Sequence, residues 1–323
     1  MREQAEKPQT LFPVALASLE PGSIVPCDLW LRHGEGEALL YRSRQLPFTL
    51  EHRERLMGMN VETVWVAFED AALWSQYTEE RLRRRVSDPD VPLNDRAKIL
   101  VEASRPIMKD VLTNPREPHT ESRVTNLAGS VCELIRGPEA FAATVRLMEH
   151  DYYTYTHSLH VAIYSVALAG AVGVDDADVL MGIGRGTLMH DCGKVALPAY
   201  LLNKPGRLDE GEWDLMRTHP LRGVEVLEET GWQDRVVYDI CLNHHERMNG
   251  SGYPRSVQGD EIPVAARITA IADAYDAMTT DRAYHRAMRG SEALWIIRRQ
   301  CADHYDQELV ERFIRSLIVP LGV

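Results

Sequence analysis

The sequence has no Cys-x-x-Cys pair, no internal repeat, no low-complexity segment and no apolar run of membrane-spanning length. Each absence excludes something. Its five cysteines, Cys27, Cys132, Cys192, Cys241 and Cys301, are scattered and odd in number, which argues against a disulfide framework and for reduced thiols. The longest apolar run, Val161 to Val174, is broken by Tyr164 and Ser165 and is too short to span a bilayer, so it predicts a buried helix. The first residues, Met1 to Pro8, are polar and charged, unlike a signal peptide. A soluble cytoplasmic protein is the expectation. Basic excess is lacking too: the net charge is −12, which excludes a generic binder of DNA or RNA that grips many phosphates. Gly 21 and Pro 17 in 323 residues exclude a fibrous or disordered chain, and 45% hydrophobic residues supply a real core.

The pattern changes near residue 75. Before it, Leu11 to Leu16, Ile24 to Leu31, Ala38 to Arg42 and Thr63 to Phe68 read as strands. Pro21-Gly22 and His33-Gly34-Glu35-Gly36 read as turns, and Leu50 to Met57 as a short helix stopped by Gly58. This predicts a small N-terminal β-rich or α+β domain over 1–75, regulatory or architectural. After it the pattern is helical. Glu79 to Val86 reads as a solvated helix, and Asn94 as the cap of a helix over Ala97 to Leu112. Val124 to Ile135, Glu139 to Met148, Val179 to Met189 and Ile262 to Met278 read as further helices. The fold class expected is mainly α: a helical linker and start of a bundle over 76–149, then an all-helical domain over 150–323.

Histidine carries the chemistry. Of 12 His, those at 150, 157, 160, 190, 219, 244 and 245 fall in one stretch. Imidazole is the commonest metal ligand, and a nearby carboxylate has two oxygens with which to bridge two ions. His190-Asp191 ends a helical run, and His244-His245-Glu246 is a rarer signal than a lone pair. Asp273 and Asp276 lie three apart on an otherwise apolar helix, hence on one face. Burying two carboxylates is costly without a metal or an Arg as partner.

Taken in order, His157-Ser158, His190-Asp191-Cys192-Gly193-Lys194, His219-Pro220, His244-His245-Glu246, Gly250-Ser251-Gly252-Tyr253-Pro254 and Ala272-Asp273-Ala274-Tyr275-Asp276-Ala277-Met278 resemble the HD-GYP family. This branch of the HD phosphohydrolases hydrolyses cyclic di-GMP. The resemblance covers roughly residues 150 to 300, and the preceding segment is similar, less specifically, to a short domain that often precedes the family. It implies an all-helical HD-type bundle and a metal-dependent phosphodiesterase that cuts cyclic di-GMP to pGpG or to GMP with a metal-bridging hydroxide. It implies two divalent transition-metal ions, iron first, with manganese, nickel or zinc as alternatives. His157, His190 and Asp273 would hold one ion, and His219, His244 and His245 the other, with Asp191 bridging. Lys194 would face the scissile phosphate, and Arg282 and His285 would touch substrate phosphate. A diguanylate cyclase with a GGDEF domain, docking on the Gly252-Tyr253-Pro254 loop, and a homodimer are further partners that the resemblance raises. The competing readings are a cyclic di-GMP receptor of low turnover and a phosphodiesterase for another cyclic dinucleotide.

Three positions depart from the family pattern. Tyr153 stands where some members have a Glu that supports a third metal. Asn249 stands where Asp is more usual, and His285 where a second phosphate-binding Arg or Lys is usual.

Overall fold

The computed structural model describes residues 10–32, 38–148, 154–204, 206–281 and 286–321. The chain divides into two compact units, Met1–Arg81 and Leu82–Val323.

In the first unit, strands β1 (Leu11–Ala15), β2 (Ser23–Ile24), β3 (Leu29–Arg32), β4 (Ala38–Arg42) and β5 (Pro47–Phe48) precede helix α1 (Leu50–Gly58) and strand β6 (Thr63–Ala67). A four-stranded sheet has the order β1-β6-β3-β4, and β2 pairs with β5 in a separate ribbon. All pairings are antiparallel, with Leu11 opposite Ala67 and Leu31 opposite Leu39. The run expected as one strand, Ile24 to Leu31, splits in two. Pro26 lies at the break, and proline brings no N–H to a ladder. The turn expected at 33–36 lies outside the described residues. Thr49 caps α1, its hydroxyl accepting from His52 N. Leu19, Leu29, Phe48, Leu56 and Val64 form a core of this unit's own.

Helix α2 (Ala71–Ser87) crosses the boundary between the units. It is not the solvated helix that its charges imply. Trp74 and Tyr77 are buried in the first core, and Leu82 and Val86 in the second. The charged positions Arg83, Arg84 and Arg85 occur between those apolar ones, so counting charge hides the buried stripe.

The second unit is helical: α3 (Leu93–Thr113), α4 (Thr120–Leu134), α5 (Pro138–Met148), α6 (Thr154–Ala171), α7 (Ala177–Met189), α8 (Ala199–Leu202), α9 (Glu210–Met216), α10 (His219–Glu229), α11 (Arg235–Asn243), α12 (Val264–Thr279), α13 (Gly290–Trp295) and α14 (Gln307–Leu321). Asn94 lies inside the first turn of α3. Pro92 takes the cap position and presets the entering backbone, so no side-chain cap forms there. Asp176 and Asp234 do cap, accepting backbone N–H bonds at the starts of α7 and α11.

Helix α6 sits at the centre, packed by α3, α7, α12 and α14. From Leu159 to Val166 every residue is buried, as a helix enclosed on all sides requires. Helix α7 approaches α11 closely through Gly186, where a Cβ would overlap Ile240 and Val237. No described helix is long and apolar enough to cross a membrane.

Candidate metal centre

Five elements deliver ionisable side chains to one buried point. His157 comes from the first turns of α6. His190 caps the C-terminal end of α7, and Asp191 follows as the chain enters a tight turn over Cys192–Ala196. His219 opens α10, His244 and His245 follow α11, and Asp273 lies within α12. Two glycines permit this convergence. A Cβ on Gly193 would collide with the carbonyl of His219 and the amide of Gly223, and one on Gly223 with the Cys241 sulfur.

The side chains form two groups. Asp191, His219, His244 and His245 can each offer one ligand atom, all within 4.8 Å of one another, and so can His157, His190 and Asp273. Asp191 stands between them. Its Oδ1 is 3.4 Å from His219 Nε2 and 4.0 Å from His244 Nε2. Its Oδ2 is 3.3 Å from His190 Nε2 and 3.9 Å from His157 Nε2. Each oxygen therefore faces one group. The structure brings together all seven side chains singled out as ligands.

A second layer aims the imidazoles. His190 Nδ1 donates to the Thr187 carbonyl at 2.6 Å, and His219 Nδ1 to that of Met216 at 2.8 Å. His244 Nδ1 lies 3.0 Å from the carbonyls of Ile240 and Cys241. Carbonyls only accept, so Nδ1 carries the proton and Nε2 presents a lone pair to the centre. His157 Nδ1 instead meets Asp276 Oδ2 at 2.6 Å. The other oxygen of Asp276 accepts from His160 Nδ1 at 2.9 Å and from Thr280 Oγ1 at 3.1 Å. The partners of the buried Asp276 are thus histidines, neither an Arg nor a direct place in the two groups. Asp276 and His160 were missed as a functional pair. The signal was available, because the i, i+3 pair His157/His160 on α6 matches the i, i+3 pair Asp273/Asp276 on α12.

This donor set fits cations. His219 Nε2 and His244 Nε2 are 3.2 Å apart. Burial pushes the pKa of His219 down to about 4 and that of His244 well below the usual value. Both are neutral near pH 7, so two lone pairs face each other and repel unless a cation lies between them. The buried His190 Nε2 and Asp191 Oδ1 also lack a hydrogen-bond partner among the described residues. Burial opposes the charge of Asp191, but the Lys194 ammonium beside it outweighs this and holds the carboxyl well below its ordinary range.

Lys194 is half-buried, and its Nζ is 2.6 Å from Asp191 Oδ2. The Gly252-Tyr253-Pro254 loop lies beside the second group, where the Tyr253 ring stacks on His245. Asn249, the departure from Asp, donates to Asp303 Oδ2 at 2.8 Å, a bond that a carboxylate could not make. Tyr153, Arg282 and His285 lie outside the described residues.

Residues 172–309 match the HD domain family, a span that holds six of the seven candidate ligands and omits His157. The chain is 37% identical over 208 residues to cyclic di-GMP phosphodiesterase PA4108 of Pseudomonas aeruginosa, covering 63% of this chain and 48% of the relative. It is 39% identical over 159 residues to 3'3'-cGAMP-specific phosphodiesterase 2 of Vibrio cholerae, covering 49% of this chain and 30% of the relative. The chain thus spans less than half the length of either relative. In fold it is similar to Bd1817, an HDG"Y"P protein of Bdellovibrio bacteriovorus, with a TM-score of 0.65 at 18% identity over 95% of this chain and 99% of that one. The chain is thus similar to the HD domain family over residues 172–309 and shares the fold of Bd1817.

Proposed function

We propose that the chain is a metal-dependent phosphodiesterase that hydrolyses cyclic di-GMP to pGpG, with GMP as the alternative end product. The observation that carries this reading is Asp191, whose two oxygens face two separate sets of imidazoles. That arrangement suits two divalent cations sharing one carboxylate, with His157, His190 and Asp273 around one and His219, His244 and His245 around the other. Imidazole with carboxylate suits iron first in this reading, and also manganese, nickel and zinc. When bound, such a pair supplies Lewis-acid polarisation of the phosphoryl group and activation of water near neutral pH.

The chain's own groups do the rest. The backbone carbonyls behind His190, His219 and His244 hold those rings in the tautomer that presents Nε2. Lys194, three residues after Asp191, places an ammonium at the edge of the cluster. There it can balance charge that builds on a phosphoryl oxygen or on the leaving oxygen. Arg282 is proposed to grip the phosphate in both ground and transition states, and His285 to contact it as a weaker substitute for a second Arg or Lys.

A second reading, hydrolysis of 3'3'-cGAMP, is supported by the 39% identity to the Vibrio relative. Product analysis separates the readings. Metal-loaded protein is incubated with each cyclic dinucleotide and the products are resolved by chromatography. Turnover of cyclic di-GMP to pGpG, and of 3'3'-cGAMP much more slowly, is the expected outcome. The reverse preference favours the second reading, and tight binding of cyclic di-GMP without hydrolysis identifies a receptor.

A further inference from the structure

Four of the five clustered imidazoles are fixed by a hydrogen bond at the nitrogen away from the centre. His157 has Asp276, His190 the Thr187 carbonyl, His219 that of Met216, and His244 those of Ile240 and Cys241. His245 has no hydrogen bond from its ring among the described residues, and its Nδ1 lies 3.9 Å from Asp273 Oδ2. What it has is an aromatic neighbour. The Tyr253 ring lies over His245 with centroids 4.6 Å apart and planes 28° from parallel. The same ring meets His219 edge-on at 6.3 Å. It contacts neither His157 nor His190 among the ring contacts described.

We propose that Tyr253 is a positioning residue: its ring fixes the plane of His245 by stacking, in place of the missing hydrogen bond, and so completes the group of His219, His244 and His245. This rests on the reading of the cluster as a two-metal centre and deepens it. The loop is built to keep the ring in place. Tyr253 N donates to the His245 carbonyl at 3.3 Å, tying the plate to the residue it covers. A Cβ on Gly252 would overlap the backbone of Glu246 and Arg247, so only glycine lets the loop close on the turn that carries His245. Arg255 N donates to Glu246 Oε1 at 2.7 Å, and Ser256 Oγ to the Gly252 carbonyl at 3.1 Å. The phenolic hydroxyl makes no hydrogen bond among the described residues, so the ring face is the part that acts. A support one step behind a ligand commonly changes metal affinity by about ten- to a hundredfold when removed.

The test is cobalt(II) titration of the metal-stripped full chain, followed by the visible absorbance of bound cobalt and by elemental analysis. Wild type should take two equivalents. His245→Ala marks which equivalent depends on that imidazole. Tyr253→Leu should bind the other equivalent with wild-type affinity and weaken the marked one by about tenfold or more. Tyr253→Phe and Tyr253→Trp, which keep a ring face, should restore it. The proposal is overturned if Tyr253→Leu holds both equivalents as wild type does, if it weakens both equally, or if Tyr253→Phe is as impaired as Tyr253→Leu. Wild type taking fewer than two equivalents overturns instead the two-metal reading beneath it.

Discussion

Asp276 Oδ2 lies 2.6 Å from His157 Nδ1, and both residues are set in the centre of the bundle on facing helices. A carboxylate behind a ligand imidazole fixes its tautomer and raises its basicity. Asp276→Asn keeps the size of the side chain but removes its charge. The variant should lose about ten- to a hundredfold in affinity for the ion held by His157. Competition with a chromogenic chelator measures this, and unchanged affinity would show that Asp276 serves packing alone.

Asp191 has the larger predicted effect. Its oxygens serve both groups, at 3.3 Å from His190 Nε2 and 3.4 Å from His219 Nε2. Asp191→Ala should therefore release both ions and abolish hydrolysis, whereas a change in one group alone should spare the other. Elemental analysis of the purified variant decides it. One retained ion at full occupancy rules out the bridging role.

Lys194 is paired with Asp191 at 2.6 Å, yet it is half-exposed and belongs to neither ligand group. Lys194→Ala should leave metal content unchanged. Its turnover should fall by roughly a hundredfold or more, the usual cost of a lost donor to transition-state charge. Arg282→Ala should act on KM instead, because it is assigned to uniform binding of phosphate. Wild-type turnover of Lys194→Ala at saturating substrate would make this lysine a structural partner of Asp191 only.

Asn249 gives a more local prediction. Its amide donates to Asp303 at the surface. Asn249→Asp would set two carboxylates against each other there and should lower the melting temperature slightly, more at low salt than at high. Metal content should not change, since neither residue belongs to the ligand groups. A lost metal equivalent in this variant would mean that the loop and the centre are coupled through this contact.

The clustering of the seven candidate ligands was legible because motif order places them, and the structure needs only to bring distant motifs together. The supports were not legible. Four of them are backbone carbonyls, which carry no side-chain signal at all. His160 and Asp276 meet across 116 residues of sequence: the matching i, i+3 spacings on α6 and α12 hint at the pair, and the crossing of those helices establishes it. The secondary structure of the first unit was read well where turn residues bracket the strands. It failed at Pro26, which breaks an apolar run into two strands, and at α2, whose buried stripe serves two cores. The phosphate contacts expected at Arg282 and His285 lie outside the described residues.

The acid–base state of His157 gives the last prediction. Burial disfavours its charged form, but the hydrogen bonds and negative charge of Asp273 and Asp276 outweigh this and push its pKa up to about 9. In the unfolded chain a histidine titrates near about 6.5. The folded, metal-free protein therefore holds a proton on His157 that the unfolded chain gives up. The resulting stability is complete below about pH 6.5 and is lost as pH rises through about 9. Metal binding has the opposite dependence. An imidazole must shed its second proton to coordinate, so affinity for the ion at His157 should rise by about tenfold per pH unit between about 6.5 and 8.5. His219, with its pKa pushed down to about 4, adds no such dependence in that range. Two measurements check the pair of trends: thermal unfolding of metal-free wild type against His157→Gln across pH 6 to 10, and chelator competition over the same range. The stability gap between the two proteins should close above about pH 9 while metal affinity climbs and then levels. A gap that widens with pH would mean that His157 is neutral in the metal-free fold, and the charge pairing with Asp273 and Asp276 would then be wrong.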